Sequence, residues 1–443
     1  MTVQSLGNGD TLAAEKGVIP LALFVLLVPS LFAQQPTPAT PLTIATPLTL
    51  EDALLQAQRL NPRMRVAESQ IQLSEAGVVT ASARPNPDAV YLGGHQNLRL
   101  PSGASGLLQH WGYNQLLEWK SVRRNRIEAA TRVREASVYG LEEARLELRG
   151  AVKQAFYGVL RRRSEIDIAE ETLKLVEDLQ QRVQVQVDVG EAGRLELTRA
   201  SSEVSTAETF LRSAQLRERA AMTELRALMG GGASDQIRVQ GALDPAVDIR
   251  NIEEIRQTAL RLHPALARAE AEIRSAQARL ATEKALRVPQ PVVVAEYEQM
   301  PDLRFFRAGI SLPIPLFNRR QGPIGEATAA LAQANAVASA LRLDISSQVE
   351  RAFDQYQIAS EQVTAIEAGA LRGAQAAVEG AEAAFRFGER GIIEVLDAQR
   401  ILRSIRSDYL NAQYDREAAL IELEQLRAIE LDPQNSTPGG ARP

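Results

Sequence analysis

The spacing of apolar and polar residues changes period several times along the chain, and each change marks an element. From Val122 to Val189 there is no proline, and apolar residues recur three and four apart: Leu141, Ala144, Leu148, Ala151, Ala155, then Val159 and Leu160. That period predicts one continuous amphipathic helix, roughly 100 Å long at a rise of about 1.5 Å per residue. Helix resumes at Arg194 and runs to Met229, where Gly230-Gly231-Gly232 stops it. A second proline-free run extends from Ile324 to Leu431, broken only by a turn at Gly388–Gly391.

Two shorter helices precede the first long run. Thr49 can cap a helix whose apolar face is Ala53, Leu54, Ala57 and Leu60. Asn61-Pro62 ends it and starts the next, because Asn is a good N-cap and Pro fits the first helical position. That helix runs to about Ala83 and is stopped by Arg84-Pro85-Asn86-Pro87. Then the period falls to two. Trp111, Tyr113, Leu117 and Trp119 share one parity, and His110, Gly112, Asn114 and Glu118 share the other. Two strands are predicted, from about Ala89 to Leu98 and on to Trp119, around a Pro/Gly/Ser loop at Leu100–Leu107.

The plan then repeats. Arg261-Leu262-His263-Pro264 matches Arg59-Leu60-Asn61-Pro62, and Pro289-Gln290-Pro291 matches Pro85-Asn86-Pro87. A second strand pair follows at Val292–Gln299 and Phe305–Leu312. Gly190-Glu191-Ala192-Gly193 recurs as Gly388-Glu389-Arg390-Gly391, each followed three residues later by Glu. Glycines three apart allow a tight reversal, so both read as tips of helical hairpins. The chain divides into a signal peptide (1–33), a Pro-rich linker (34–47), a first repeat (48–232), a connector (233–250), a second repeat (251–431) and a disordered tail (432–443). The fold class is mainly α with a small β part, in a duplicated order of helix, strand pair and long helical hairpin.

Composition narrows the setting. Val18–Val28 reads VIPLALFVLLV and Ser30-Leu31-Phe32-Ala33 follows, the apolar core and small-residue site of an export signal. The chain has no cysteine, which excludes disulfides and thiolate metal sites. A net charge of -5 with interspersed signs gives no basic block for nucleic acid. His95, His110 and His263 are scattered, and neither a His-Glu-x-x-His nor a Gly-rich phosphate loop occurs. No catalytic residue, metal site or cofactor is expected.

The strand segments gather Tyr91, Trp111, Tyr113, Trp119, Tyr297, Phe305, Phe306 and Phe317. Aromatic, alternating strands of this length suit an outer-membrane barrel. Trp111, Tyr113, Trp119 and Phe306 are the membrane-interface candidates. So few strands cannot close a barrel, and open edges are not tolerated in lipid, so several chains are required.

Six stretches together resemble the TolC-type outer-membrane efflux family, and the Pro315–Gly322 segment (PLFNRRQG) resembles its heavy-metal, cobalt–zinc–cadmium branch. The six are Leu48–Ala53, Asn61-Pro62, Leu116–Trp119, Gly190 with Glu196, Leu312–Gln321 (LPIPLFNRRQ) and Gly388–Gln399. The resemblance implies a homotrimer in the bacterial outer membrane, a β-barrel of roughly twelve strands continued by a periplasmic α-barrel. It implies a passive exit duct, served by a periplasmic adaptor (membrane fusion protein) and an inner-membrane pump of RND type. The tip turns at Gly190, Gly193, Gly388 and Gly391 would meet the adaptor. Arg390 matches a gate arginine, and Glu394, Asp397 and Glu196 match acidic gate or pore positions. Glu394 and Asp397 share a helix face, and Arg390 could link to Glu196. Two alternatives stay open: a type I protein secretion duct, and a periplasmic coiled-coil scaffold or adaptor without a channel.

Overall fold

The computed structural model describes residues 47–97, 105–231, 238–243, 249 and 251–428. The expected signal peptide, almost all of the linker, most of the Leu100–Leu107 loop, much of the connector and the tail lie outside the described residues.

The first repeat starts with α1 (Leu50–Leu60), capped by Thr49, whose hydroxyl accepts from Asp52 N. Asn61 closes α1 and opens α2 (Pro62–Ser82), with Oδ1 accepting from Arg63 N and Nδ2 donating to Leu228 O at 2.7 Å. Strands β1 (Asp88–Gln96) and β2 (Gly106–Leu116) follow. Helix α3 (Lys120–Asp188) is continuous over 69 residues, and α4 (Arg194–Leu228) returns along it. The second repeat mirrors this order. Helix α5 (Ile252–Leu262) and α6 (Pro264–Ala285) meet at His263, whose Nδ1 accepts from Ala265 N as its twin Asn61 accepts from Arg63. Strands β3 (Val292–Gln299) and β4 (Arg304–Ser311) precede α7 (Gln321–Ala365), α8 (Leu371–Arg386) and α9 (Ile392–Arg427). The fold is mainly helical with a small sheet and a doubled plan, as the periodicity predicts.

Three details depart from the sequence reading. Strand β2 ends at Leu116, and Trp119 caps α3 instead of extending the strand; its indole N–H donates to Pro289 O at 2.9 Å. Helix α7 begins at Gln321, three residues ahead of Ile324, with Pro323 in its first turn, where a missing N–H costs no helical bond. The second helical run is not broken by its tip alone, because Ile366–Ala370 forms a π-helical turn between α7 and α8. There Tyr409 of α9 hydrogen-bonds to Glu367. A π turn adds a residue without ending a helix, and 3.6-residue spacing cannot reveal it.

The strands form one antiparallel sheet in the order β1-β2-β3-β4, so the two repeats meet at β2 and β3. At its base Arg126 clamps α2 to the strand exit, donating to Ala81 O and Ala83 O and pairing with Glu118. Apolar side chains pack in successive clusters along the helices. One joins Leu48, Phe156, Val159, Leu225 and Met229. Another joins Ile255, Ile345, Val349, Leu420 and Leu423. Backbone bonds from Leu48 N to Arg238 O and Gln240 N to Leu48 O tie the start of this body to the connector. Among the described residues no helix is long and apolar enough to cross a membrane.

Candidate pore mouth and membrane-facing sheet

Both tips are built the same way. Gly190 has φ +81 and Gly388 has φ +72. At each, the glycine N–H bonds three residues back and the next N–H bonds five back: Glu191 to Gln186 O at 2.8 Å, Glu389 to Ala384 O at 2.9 Å. This is the Schellman ending of a helix. The second glycine of each pair does a different job from the first. Gly193 and Gly391 both have φ -82 and serve as N-caps of α4 and α9, so only one glycine per tip needs the left-handed region.

Beneath the turns the two hairpins share a core. Leu179, Val183 and Ala200 of the first pack with Phe385, Ile392 and Val395 of the second. Ile392 and Val395 fix the rotation of α9, and Ile393, Glu394 and Asp397 stay exposed away from that core. Arg390 Nη1 lies 3.9 Å from Glu394 Oε1, and Arg400 Nη1 lies 3.6 Å from Asp397 Oδ1. Glu196 sits half-buried in the first turn of α4. Within the chain Arg390, in the tip turn ahead of α9, turns to Glu394 in the first turn of that helix and does not pair with Glu196.

Ion pairs that local spacing could not reveal join the repeats above the tips. Arg403 of α9 lies 3.7 Å from Glu203 of α4, both largely buried, and its guanidinium stacks 5.9 Å from the Phe210 ring. Arg406 lies 2.6 Å from Glu171 of α3. Further along, α3 and α9 enclose a charged cluster in which Lys153 pairs with Glu424 and Tyr157 hydrogen-bonds Glu417. Burial, reinforced by Glu424 and opposed by Tyr157, Lys153 and Arg416, raises the Glu417 carboxyl to about 7. Burial and Glu417 together push the Tyr157 hydroxyl upward. Glu417 Oε2 is buried without a hydrogen-bond partner.

At the other end, the sheet has two unlike faces. The register aligns Tyr91, Trp111, Tyr297 and Phe306 in one row across all four strands, with Tyr91 and Trp111 rings 4.4 Å apart. The next row holds Ala89, Tyr113, Ala295 and Ala308 on the same face. The opposite face holds the sheet's ion pairs, with Arg307 3.0 Å from Glu296 and 3.2 Å from Glu298, and His110 beside them, among the apolar Val90, Leu92 and Phe305. Trp111, Tyr113 and Phe306 thus share a face, and Trp119 stands beyond it on the helix boundary. Among the described residues no three His, Asp or Glu side chains are grouped to hold a metal ion.

Comparisons with known proteins agree with this geometry. The family model described as outer membrane efflux protein matches residues 53–231 and 255–428. The cobalt-zinc-cadmium resistance protein CzcC of Cupriavidus metallidurans is 28% identical over 401 residues, covering 88% of this chain and 94% of its own. The solved CusC structure superposes with a TM-score of 0.75 at 20% identity, over 89% of this chain and 98% of that one. The open-state MtrE outer membrane channel of Neisseria gonorrhoeae superposes with a TM-score of 0.72 at 18% identity, over 88% and 91% of the two chains.

Proposed function

The chain belongs to the outer membrane efflux protein family, and from that premise we propose that it is the exit duct of a tripartite heavy-metal efflux system. It resides in the outer membrane with a periplasmic helical extension. One observation carries the proposal. Among the described residues β1 and β4 each pair on one side only, and the sheet between them has an apolar aromatic face and a charged one. A sheet of that polarity suits lipid on one side and water on the other. Its open edges require neighbouring strands. Three copies would supply a barrel of roughly twelve strands, with the charged face lining a passive lumen.

The long helices would continue that lumen across the periplasm and narrow it at the tips. There the Gly190–Gly193 and Gly388–Gly391 turns would meet a periplasmic adaptor loaded by an RND-type pump. Glu394 and Asp397 would ring the constriction, with Arg390 and Glu196 as gate residues. The similarity to a protein named for cobalt, zinc and cadmium resistance favours metal cations as cargo over the polypeptides of a secretion duct.

Two measurements test this. Purified full-length protein in planar bilayers is expected to give discrete conductance from heat-modifiable trimers. Deletion in the native host is expected to lower tolerance to zinc, cobalt and cadmium together. A monomer recovered in the soluble periplasmic fraction, without conductance, overturns the duct; conductance with unchanged metal tolerance overturns the cargo.

A further inference from the structure

The apolar face of the sheet does not stop where β4 stops. Leu312, Ile314 and Leu316 follow Ile310 at two-residue steps and are 53%, 74% and 67% exposed, and Phe317 is 96% exposed. The segment is held in place. Leu316 N–H donates to Ile314 O at 2.9 Å, Asn318 Oδ1 accepts from Arg320 N at 2.9 Å, and Arg320 pairs with Glu283 of α6. A fixed loop presenting four large apolar side chains to water calls for a partner.

Geometry identifies the partner. From Phe306 to Ile310 the outward face of β4 covers four steps, about 13 Å along the strand and about 10 Å along the membrane normal at a tilt near 40°. An outer-membrane barrel presents an apolar band roughly 25 Å tall. Carrying the same parity through Leu312 to Ile314 about doubles the covered height. Leu117 and Trp119 leave β2 at the same end, exposed on the same parity, with Leu117 N–H bonded to Pro291 O at 2.8 Å. Backbone donors are costly in lipid. Pro313 and Pro315 remove two of them, and the Leu316 N–H is already bonded. Arg319, exposed two residues after Phe317, suits anionic headgroups.

We propose that Leu312–Phe317 is the periplasmic rim of the lipid-facing surface, with phospholipid acyl chains against Leu312, Ile314, Leu316 and Phe317 and headgroups at Arg319. This rests on the reading of the sheet as one wall of an outer-membrane barrel. The rim sets the depth of the protein in the bilayer, because the strands alone are too short to do so.

The chain lacks cysteine, so single reporters can be placed in the full-length protein. Ile310→Cys, Ile314→Cys and Phe317→Cys, with Leu316→Cys as a further site should one fail to fold, would carry an environment-sensitive fluorophore. The vesicles are phosphatidylethanolamine and phosphatidylglycerol, with or without a shallow nitroxide lipid. Labels at 314 and 317 are expected to lose most of their emission to the nitroxide lipid and little to aqueous iodide. Quenching by iodide alone overturns the proposal in favour of a water-exposed loop. Protection from both quenchers overturns it in favour of burial against a second copy. The label at 310 reports the parent reading: if it too escapes the nitroxide lipid, the barrel wall itself is wrong.

Discussion

Arg403 and Glu203 stand 3.7 Å apart in an interface that buries most of both side chains, and they join the last helix of the second repeat to the returning helix of the first. Arg406 and Glu171 of α3 make a second, more exposed link between the repeats. Any widening that swings one hairpin off the other must break both. A pair this sheltered is worth more than an exposed one, about 1–2 kcal/mol. Arg403→Ala is therefore expected to raise mean single-channel current by favouring the open mouth about tenfold. Glu203→Ala should do the same, and the double variant should add little beyond either single change. Unchanged current in both singles would remove this link from the gate.

Glu417 gives the long helices a pH dependence. Its folded-state value of about 7 stands above the ordinary carboxylate value of 4.5. The folded protein thus holds a proton that the unfolded chain releases between those values. This contribution to stability is fully present below about 4.5, falls as pH rises towards 7, and is gone above it, a loss on the order of 3 kcal/mol. Glu417→Gln keeps the shape without the charge. It is expected to flatten the pH dependence of the thermal midpoint over this window and to raise the midpoint at pH 8. An unchanged slope in the variant would show that another group titrates.

Much of this architecture was legible because it is written in local chemistry. Proline pairs, Asn61-Pro62 and its twin His263-Pro264 fix helix ends through backbone donors they lack or caps they supply. Parity assigns Trp111, Tyr113 and Phe306 to one face, since side chains alternate across any strand. The Arg403–Glu203 and Tyr157–Glu417 contacts were not legible. Each joins helices from different repeats, and alone each residue looks like one more charge or ring on an amphipathic helix. The π turn at Ile366–Ala370 leaves no trace in the spacing for the same reason: it is decided by what packs beside it.

Gly230 marks a contact where a methyl group has no room. Its φ is +92, and a Cβ would lie 2.7 Å from Leu60 Cβ and 2.9 Å from the Leu60 carbonyl carbon and oxygen. The neighbouring Gly231 has φ +80 but open space around it. Gly231→Ala should cost only the left-handed backbone, about 1–2 kcal/mol. Gly230→Ala should cost a further 1–3 kcal/mol or so, because the α1–α2 junction must shift. Thermal midpoints of the two variants side by side check this, and equal losses would mean that the junction yields freely.

Glu394 and Asp397 carry the last prediction. Both are exposed, and each lies within 4 Å of a nearby arginine: Glu394 is 3.9 Å from Arg390 in the tip turn and Asp397 is 3.6 Å from Arg400 on α9. Exposed pairs of this length contribute only about 0.2–1 kcal/mol, so the arginines do not lock the carboxylates away from a central axis. In the proposed trimer, with these tips forming the constriction, the acidic groups would attract cations and repel anions there. Glu394→Gln with Asp397→Asn is expected to move the reversal potential in a potassium chloride gradient towards zero and to weaken block by divalent cations. Arg390→Ala should strengthen cation preference by removing an opposing charge. If the double variant keeps its reversal potential, these carboxylates serve the start of α9, where negative charge favours a helix N-terminus, and Glu196 and the Glu296 and Glu298 pair of the sheet become the next residues to test for selectivity.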